Sequence, residues 1–164
     1  MSDTLPGIRA ILDSSGLAFE VWDCDPEFAD TDLFCAHYNV PRENSANTIL
    51  VKSKTGERKF AACVLLATCL LDVNRTVRKK LGARRVSFAN ADETREITDM
   101  EIGGVTPLAL PQDLPVWIDE RIMACGYIIL GGGNRNSKLK VDPRILTLLP
   151  AAEVVPGLAA PRPE

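Results

Sequence analysis

The sequence predicts an α+β fold, a mixed and mostly antiparallel sheet or half-barrel flanked by helices. Strand-like runs follow one another across short turns, as in hairpins, and do not alternate regularly with helices as in βαβ units. The helical patterns between them are short. The chain has 164 residues, of which 46% are hydrophobic and 25% charged, enough for one well-buried core but small for two. We therefore expect a single domain over residues 1–155 and a Pro/Ala-rich tail over residues 156–164.

The elements follow from local pattern. Residues 4–15 read as a helix, with Asp3 or Thr4 as cap, Leu5, Ile8, Ile11 and Leu12 on one face, and Gly16 as the stop. Residues 17–23 alternate like a strand that Asp25-Pro26 breaks. Residues 28–39 have helical spacing, with Leu33, Ala36, His37 and Val40 along one stripe and Pro41 as the end. Residues 48–52 and 58–68 flank the turn Lys54-Thr55-Gly56-Glu57 and predict an antiparallel hairpin. A helix over 72–81 has Val73, Val77 and Leu81 inward, Asp72 as N-cap and Gly82 as stop. A short strand at 85–88 precedes an acidic-start helix over 92–100, which suits the positive end of the helix dipole. Beyond a Gly/Pro-rich loop over 103–115, residues 116–118, 127–130 and 137–141 read as strands. Asp142-Pro143 opens a last helix, and the tail from Pro156 reads as frayed.

Composition excludes several kinds of chemistry. With 19 Lys+Arg against 22 Asp+Glu, the formal net charge is −3, which disfavours coating nucleic acid by bulk charge. His37 is the only histidine, so multi-histidine metal sites are out and a Ser–His–Asp triad would have to use it. Its place on a partly apolar stripe favours a structural role. The five cysteines, Cys24, Cys35, Cys63, Cys69 and Cys125, are odd in number and lack C-x-x-C spacing. That pattern fits a reducing cytosol and small hydrophobic roles for Cys35, Cys63 and Cys69. No charged-then-apolar leader pattern opens the sequence, and the longest apolar run, 60–71, is far short of a membrane span. A cytoplasmic protein without a membrane partner is expected; oligomeric state is left open.

Two glycine clusters and one basic cluster are the motifs of chemical interest. Gly103-Gly104-Val105-Thr106-Pro107 can bring backbone N–H groups close to a ligand and hold a developing oxyanion, though a plain turn is the commoner meaning. Gly131-Gly132-Gly133 leads into Asn134-Arg135-Asn136-Ser137-Lys138. It fails both the dinucleotide and the Walker patterns, leaving a turn and a close ligand approach evenly weighed. Arg75, Arg78, Lys79, Lys80, Arg84 and Arg85 concentrate six of the 19 cations in and just after one helix. Such a run is either a solvated face or a contact for a phosphate backbone. Trp22 and Trp117 read as core or pocket-wall residues.

In order along the chain, Asn47-Thr48-Ile49-Leu50, Leu71-Asp72-Val73-Asn74-Arg75, Gly103 to Pro107, Leu114-Pro115-Val116-Trp117-Ile118-Asp119-Glu120, and Gly131-Gly132-Gly133 before Ser137-Lys138-Leu139-Lys140-Val141 resemble the YbaK/EbsC family of prolyl-tRNA-synthetase-associated editing domains. The resemblance runs from the first helix to about Leu149. It implies a barrel-like sheet with surrounding helices and hydrolysis of the ester joining a mismatched amino acid to tRNA. The partners it implies are aminoacyl-tRNA and, in trans, an aminoacyl-tRNA synthetase; no cofactor or metal is implied. Gly103 and Gly104 would supply backbone donors at the ester carbonyl. Thr48, Val105, Thr106, Pro107, Gly131, Gly132, Gly133, Ser137 and Lys138 would bind substrate, and Arg75, Arg78, Lys79 and Lys80 would meet the tRNA backbone. Catalysis in that family leans on a substrate ribose hydroxyl and a water. Many members carry lysine where this chain has Asn47, and often a tyrosine where Trp22 stands. Asn47 can donate hydrogen bonds but has no charge, so the resemblance also admits a weakly active or inactive binding module. Lys138 is either a substitute cation or a solvent-facing strand residue.

Overall fold

The computed structural model describes residues 3–163. Strand β1 (Phe19–Asp23) pairs antiparallel with β8 (Ser137–Val141), which pairs antiparallel with β7 (Ile128–Gly131). A second sheet has five strands in the order β5 (Val86–Phe88), β2 (Ala46–Ser53), β3 (Phe60–Leu66), β6 (Val116–Asp119) and β9 (Ala152–Val155). The expected hairpin is present, with Ala46 opposite Leu66 and Lys52 opposite Phe60. Pairings β3–β6 and β6–β9 are parallel, so the sheet is mixed. A bridge between Ser45 and Ile129 links the two sheets into an open, barrel-like wrap.

The wrap closes on one core. Strand alternation sends Leu50, Ala62, Val64, Val116 and Ile118 to its inside, where they meet Ile128, Leu130, Leu139 and Val141 of the smaller sheet. Helix α1 (Pro6–Ser14) caps the core with Ile8 and Leu12, as its spacing predicts. Its cap differs from expectation. The N-cap is Leu5, with Pro6 at the first position, and Thr4 instead donates its hydroxyl to the Gly132 carbonyl at 2.6 Å.

Helix α2 (Thr31–Tyr38) is shorter than expected and turned by about one residue. Phe34 and Cys35 are buried, while Leu33 is 50% exposed and Ala36 and His37 face solvent. The reason is the surface it meets: Phe34 packs beside Trp22 of β1 and under the ammonium of Lys138 on β8. His37 is structural in a different way, stacked on Phe28 with centroids 3.8 Å apart. The helix ends at Asn39, in the left-handed region at φ 56°, before Pro41 is reached.

The helix expected over 72–81 is a π-helical turn, Val73–Val77, running into α3 (Arg78–Leu81). Asp72 does cap it, accepting from the Thr76 amide and hydroxyl, and its own carbonyl takes the Val77 N–H. This unit lays Val77 and Leu81 on the outer face of the large sheet, against Val51, Ala61, Cys63 and Trp117. Helix α4 (Ala91–Thr98) starts with a full capping box between Asn90 and Glu93. Residues 143–148 form a 3-10 helix.

The tail is not frayed. The sequence gives no alternation long enough to betray a strand there, yet β9 forms, and β10 (Ala159–Pro161) pairs with β4 (Cys69–Leu71). Leu158 is fully buried with Val155 in the outer cluster, and Thr68 and Ala67 carbonyls accept from Arg162. All five cysteines are free thiols, with Cys63 in the sheet interior pushed up to about 12 by burial. No helix among the described residues is long and apolar enough to cross a membrane.

Two outcomes test these points. Leu158→Ala should cost about 2–5 kcal/mol in urea unfolding, the range for a buried leucine; a loose tail would leave stability unchanged. Glu93 accepts from Lys52 at 2.6 Å, Arg58 at 2.7 Å and the Asn90 amide, which hold its carboxyl down at about 2. A lowered carboxyl pKa stabilises the fold above the ordinary value and is lost as pH falls. Stability should therefore drop between pH 4.5 and about 2. In Glu93→Gln that part of the pH profile should flatten.

Candidate active site

A cleft of about 370 Å³ opens where the two sheets meet. Asn47, Thr48, Ile49 and Leu50 of β2 form one wall, and Ala89, Ala91 and Thr94 at the start of α4 form another. Asp30 and Thr31 at the head of α2, Ile102, Gly103 and Val105 of the long loop, and Gly131 with Lys138 complete it.

The long loop is held in place by the second glycine run. Gly133 N–H donates to the Gly104 carbonyl at 2.7 Å, and Glu101 N–H donates to the Gly133 carbonyl at 3.0 Å. Both chains need glycine here because backbone faces backbone. A Cβ on Gly131 would sit 2.5 Å from the Gly104 oxygen, and one on Gly104 would collide with the Asn134 carbonyl. Neither the turn nor the ligand-approach reading explains the glycines fully; the main cause is the crossing of two loops. Gly132 has no room for a side chain beside Ser137, and Gly133, at φ +85°, lies against Leu5 and Ile8.

Of the residues singled out in the sequence, the structure brings Asn47, Thr48, Gly103, Val105, Gly131 and Lys138 to the cleft. Gly104, Thr106, Pro107, Gly132, Gly133 and Ser137 are buried behind it. Pro107 instead lines a separate apolar groove with Ile11, Leu110 and Leu149. Ser137 donates its hydroxyl to Asn134. The Gly104 amide is also not a free donor, because it bonds the Glu101 carbonyl at 2.9 Å and closes a turn. The neighbouring amides of Gly103 and Val105 have no acceptor among the described residues, and both residues border the cleft.

Lys138 is not solvent-facing. It is 6% exposed, and its ammonium donates to the carbonyls of Ala29 at 2.6 Å and Gly103 at 3.0 Å, over the ring of Phe34. Burial pushes its pKa below the ordinary lysine value of 10.5, with the charge of Asp30 partly opposing that shift. The strand-like alternation Ser-Lys-Leu-Lys-Val conceals this. Both faces of β8 are covered here, one by the core and the other by α2. Asn47 accepts a short hydrogen bond from the Thr31 hydroxyl, which fixes its amide orientation within the wall. The Thr48 hydroxyl is buried and unpartnered among the described residues.

Arg135 was missed as a site residue, although a charge inside a glycine-rich loop is a visible signal. Its guanidinium donates to the Ile102 and Pro26 carbonyls at 2.7 and 2.8 Å and to Asp30 at 3.3 Å, and its own amide donates to Glu101. It staples the cleft loop to the segment before α2. Asp30 and Thr31 were missed because only folding carries the head of α2 to the loop. Arg75, Arg78, Lys79 and Lys80 lie elsewhere. They ride on the unit that covers the outer face of the large sheet, and Lys80 is paired with Glu153 over Trp117. No cluster of three metal-ligating side chains occurs among the described residues.

The cleft thus sets the loop residues Gly103 and Val105 beside one buried cation, Lys138, on a barrel-like α+β scaffold. The chain belongs to the aminoacyl-tRNA editing domain family, whose profile matches residues 25–148. Solved structures share the fold. A hypothetical protein superposes with a TM-score of 0.81 at 23% identity, covering 94% of this chain and 99% of the other. A candidate trans-editing enzyme for prolyl tRNA synthetase superposes at 0.75 with 19% identity, covering 93% and 96%. A candidate signal transduction protein from Marinobacter aquaeolei matches at 0.58 and 19% identity, covering 95% of this chain but 31% of its own length.

The loop crossing is tested by pairing two substitutions. Gly104→Ala should lower unfolding stability by about 1–3 kcal/mol, because backbone must move to admit one methyl. Gly126→Ala, where a Cβ meets nothing within 4 Å, should change it by under about 0.5 kcal/mol.

Proposed function

We propose that this protein is an aminoacyl-tRNA deacylase of the cytoplasm. It hydrolyses the ester between a mismatched amino acid and the terminal ribose of tRNA, in trans to an aminoacyl-tRNA synthetase. The observation that carries the reading is the pairing, in one cleft, of the unengaged Gly103 and Val105 amides with the buried Lys138 ammonium. The family to which the chain belongs supports the substrate class.

In this reading a water oxygen bonds to the ester carbonyl carbon, and negative charge builds on the carbonyl oxygen. Gly103 and Val105 donate to that oxygen, each well-placed donor supplying about 2.7–4 kcal/mol. The bond from carbonyl carbon to ribose oxygen then breaks. The ribose hydroxyl beside the ester relays the water's proton to the leaving oxygen, so no protein nucleophile is needed. Lys138, bonded to the Gly103 carbonyl, orients the loop peptide and adds positive potential. Asn47 and Thr48 contact the substrate from β2, and Gly131 lets it approach the floor. Thr106, Pro107, Gly132, Gly133, Ser137 and Gly104 act behind this surface by holding its shape.

One observation favours a second reading, a module that binds aminoacyl-tRNA with little turnover. Position 47 carries no charge, and its amide oxygen is already committed to Thr31. A panel of mischarged tRNAs separates the two. The first reading expects amino acid release from at least one of them, reduced about tenfold or more in Lys138→Met. Absence of release from every tRNA, with activity appearing in Asn47→Lys, would establish the second.

A further inference from the structure

The cleft has two unlike rims. The rim at the head of α2 carries Asp30, with Asp25, Glu27 and Asp32 near it in sequence; Asp30 and Asp32 are paired to Arg135 and Arg42. The opposite rim continues from Leu50 and Ala89 along β2 and β5 toward the tip of the β2–β3 hairpin. That end is basic. A shallow depression of about 400 Å³ is lined by Lys52, Ser53, Lys54, Gly56 and Arg58. Lys54 donates its amide to the Arg85 carbonyl, which places Arg85 beside the same depression. Glu93 offsets Lys52 and Arg58, whereas Lys54 and Arg85 have no acidic partner among the described residues.

We propose that this depression binds the phosphodiester backbone of the RNA whose 3′ end occupies the cleft, and that the α3 cations do not. The inference rests on the editing reading and names the surface by which its substrate docks. Two features carry it beyond a bare count of charges. The depression lies close to the cleft along one strand: Leu50 lines the cleft and Lys52, two residues on along β2, lines the depression, about 7 Å of extended chain away. The other rim offers no comparable free cation: Arg135 there is committed to Asp30 and to the Ile102 and Pro26 carbonyls. The α3 cluster lies across the large sheet, on the outer face that Val51, Ala61 and Cys63 form. β5 is an edge strand, and Phe88 on it is 55% exposed, leaving an aromatic face beside the track for an unpaired base.

The test compares two double variants with the wild type, using uncharged tRNA as the binding probe over a salt series. Lys54→Ala/Arg85→Ala should weaken binding about tenfold at low salt and reduce the slope of log affinity against log salt by about 1.5, as expected for two lost phosphate contacts. Arg75→Ala/Lys79→Ala should leave both unchanged. The reverse pattern, or no change in either variant, overturns the proposal. A second readout uses 3′-aminoacyl-adenosine, which has no phosphodiesters. The hairpin variant should hydrolyse it at the wild-type rate while losing efficiency on aminoacyl-tRNA; an equal loss on both substrates overturns the proposal. If the wild type hydrolyses neither ester, the deacylase reading fails, and the salt series still decides the RNA surface.

Discussion

The cleft depends on one crossing of backbone over backbone. Gly104 and Gly131 meet without side chains, and the Gly133 amide is locked onto the Gly104 carbonyl. The loop side of the cleft is hung from that crossing. Thr4 fixes the start of the chain to Gly132, Arg135 ties Ile102 to the segment before α2, and Lys138 spans from Gly103 to Ala29. Four separate stretches are thereby held in one arrangement. A loop of this length would otherwise carry exposed, mobile amides, which are poor oxyanion donors because they must be ordered during the reaction.

The buried lysine has a physical cost that its surroundings meet. An ammonium at 6% exposure needs acceptors, and it has two carbonyls, an aromatic face and the nearby Asp30 carboxylate. Its charge is then available where a neutral asparagine stands on the facing wall. The same economy of ionisable groups runs through the molecule. The lone histidine is used for stacking on Phe28, and the thiols whose shifts are resolved are all raised.

Most of the secondary structure was legible. The β2–β3 hairpin, α1 and the strands at 116–118, 127–130 and 137–141 follow from alternation and turn residues, and all are present. Errors arose where an element's partner decides its face or its existence. α2 turned by about one residue because Phe34 meets Trp22 on β1 and the Lys138 ammonium on β8, contacts that its own spacing does not encode. The tail gained a strand, β10, because β4 offered it a free edge, and β9 formed just before the tail on the edge of β6. The solvent-facing reading of Lys138 failed because alternation assumes one wet face, and both faces of β8 are covered there.

The sequence alone determined the fold class, the editing-domain resemblance and the exclusion of multi-histidine sites, since these rest on composition and motif order. It also marked both glycine clusters and six of the cleft residues. Tertiary structure alone decided which amides are free, which glycines serve packing, and which cations stand near the cleft. Those are questions of which surfaces meet. Residues 104 and 131, or 54 and 85, become neighbours only when distant strands pair, and no local pattern records that contact.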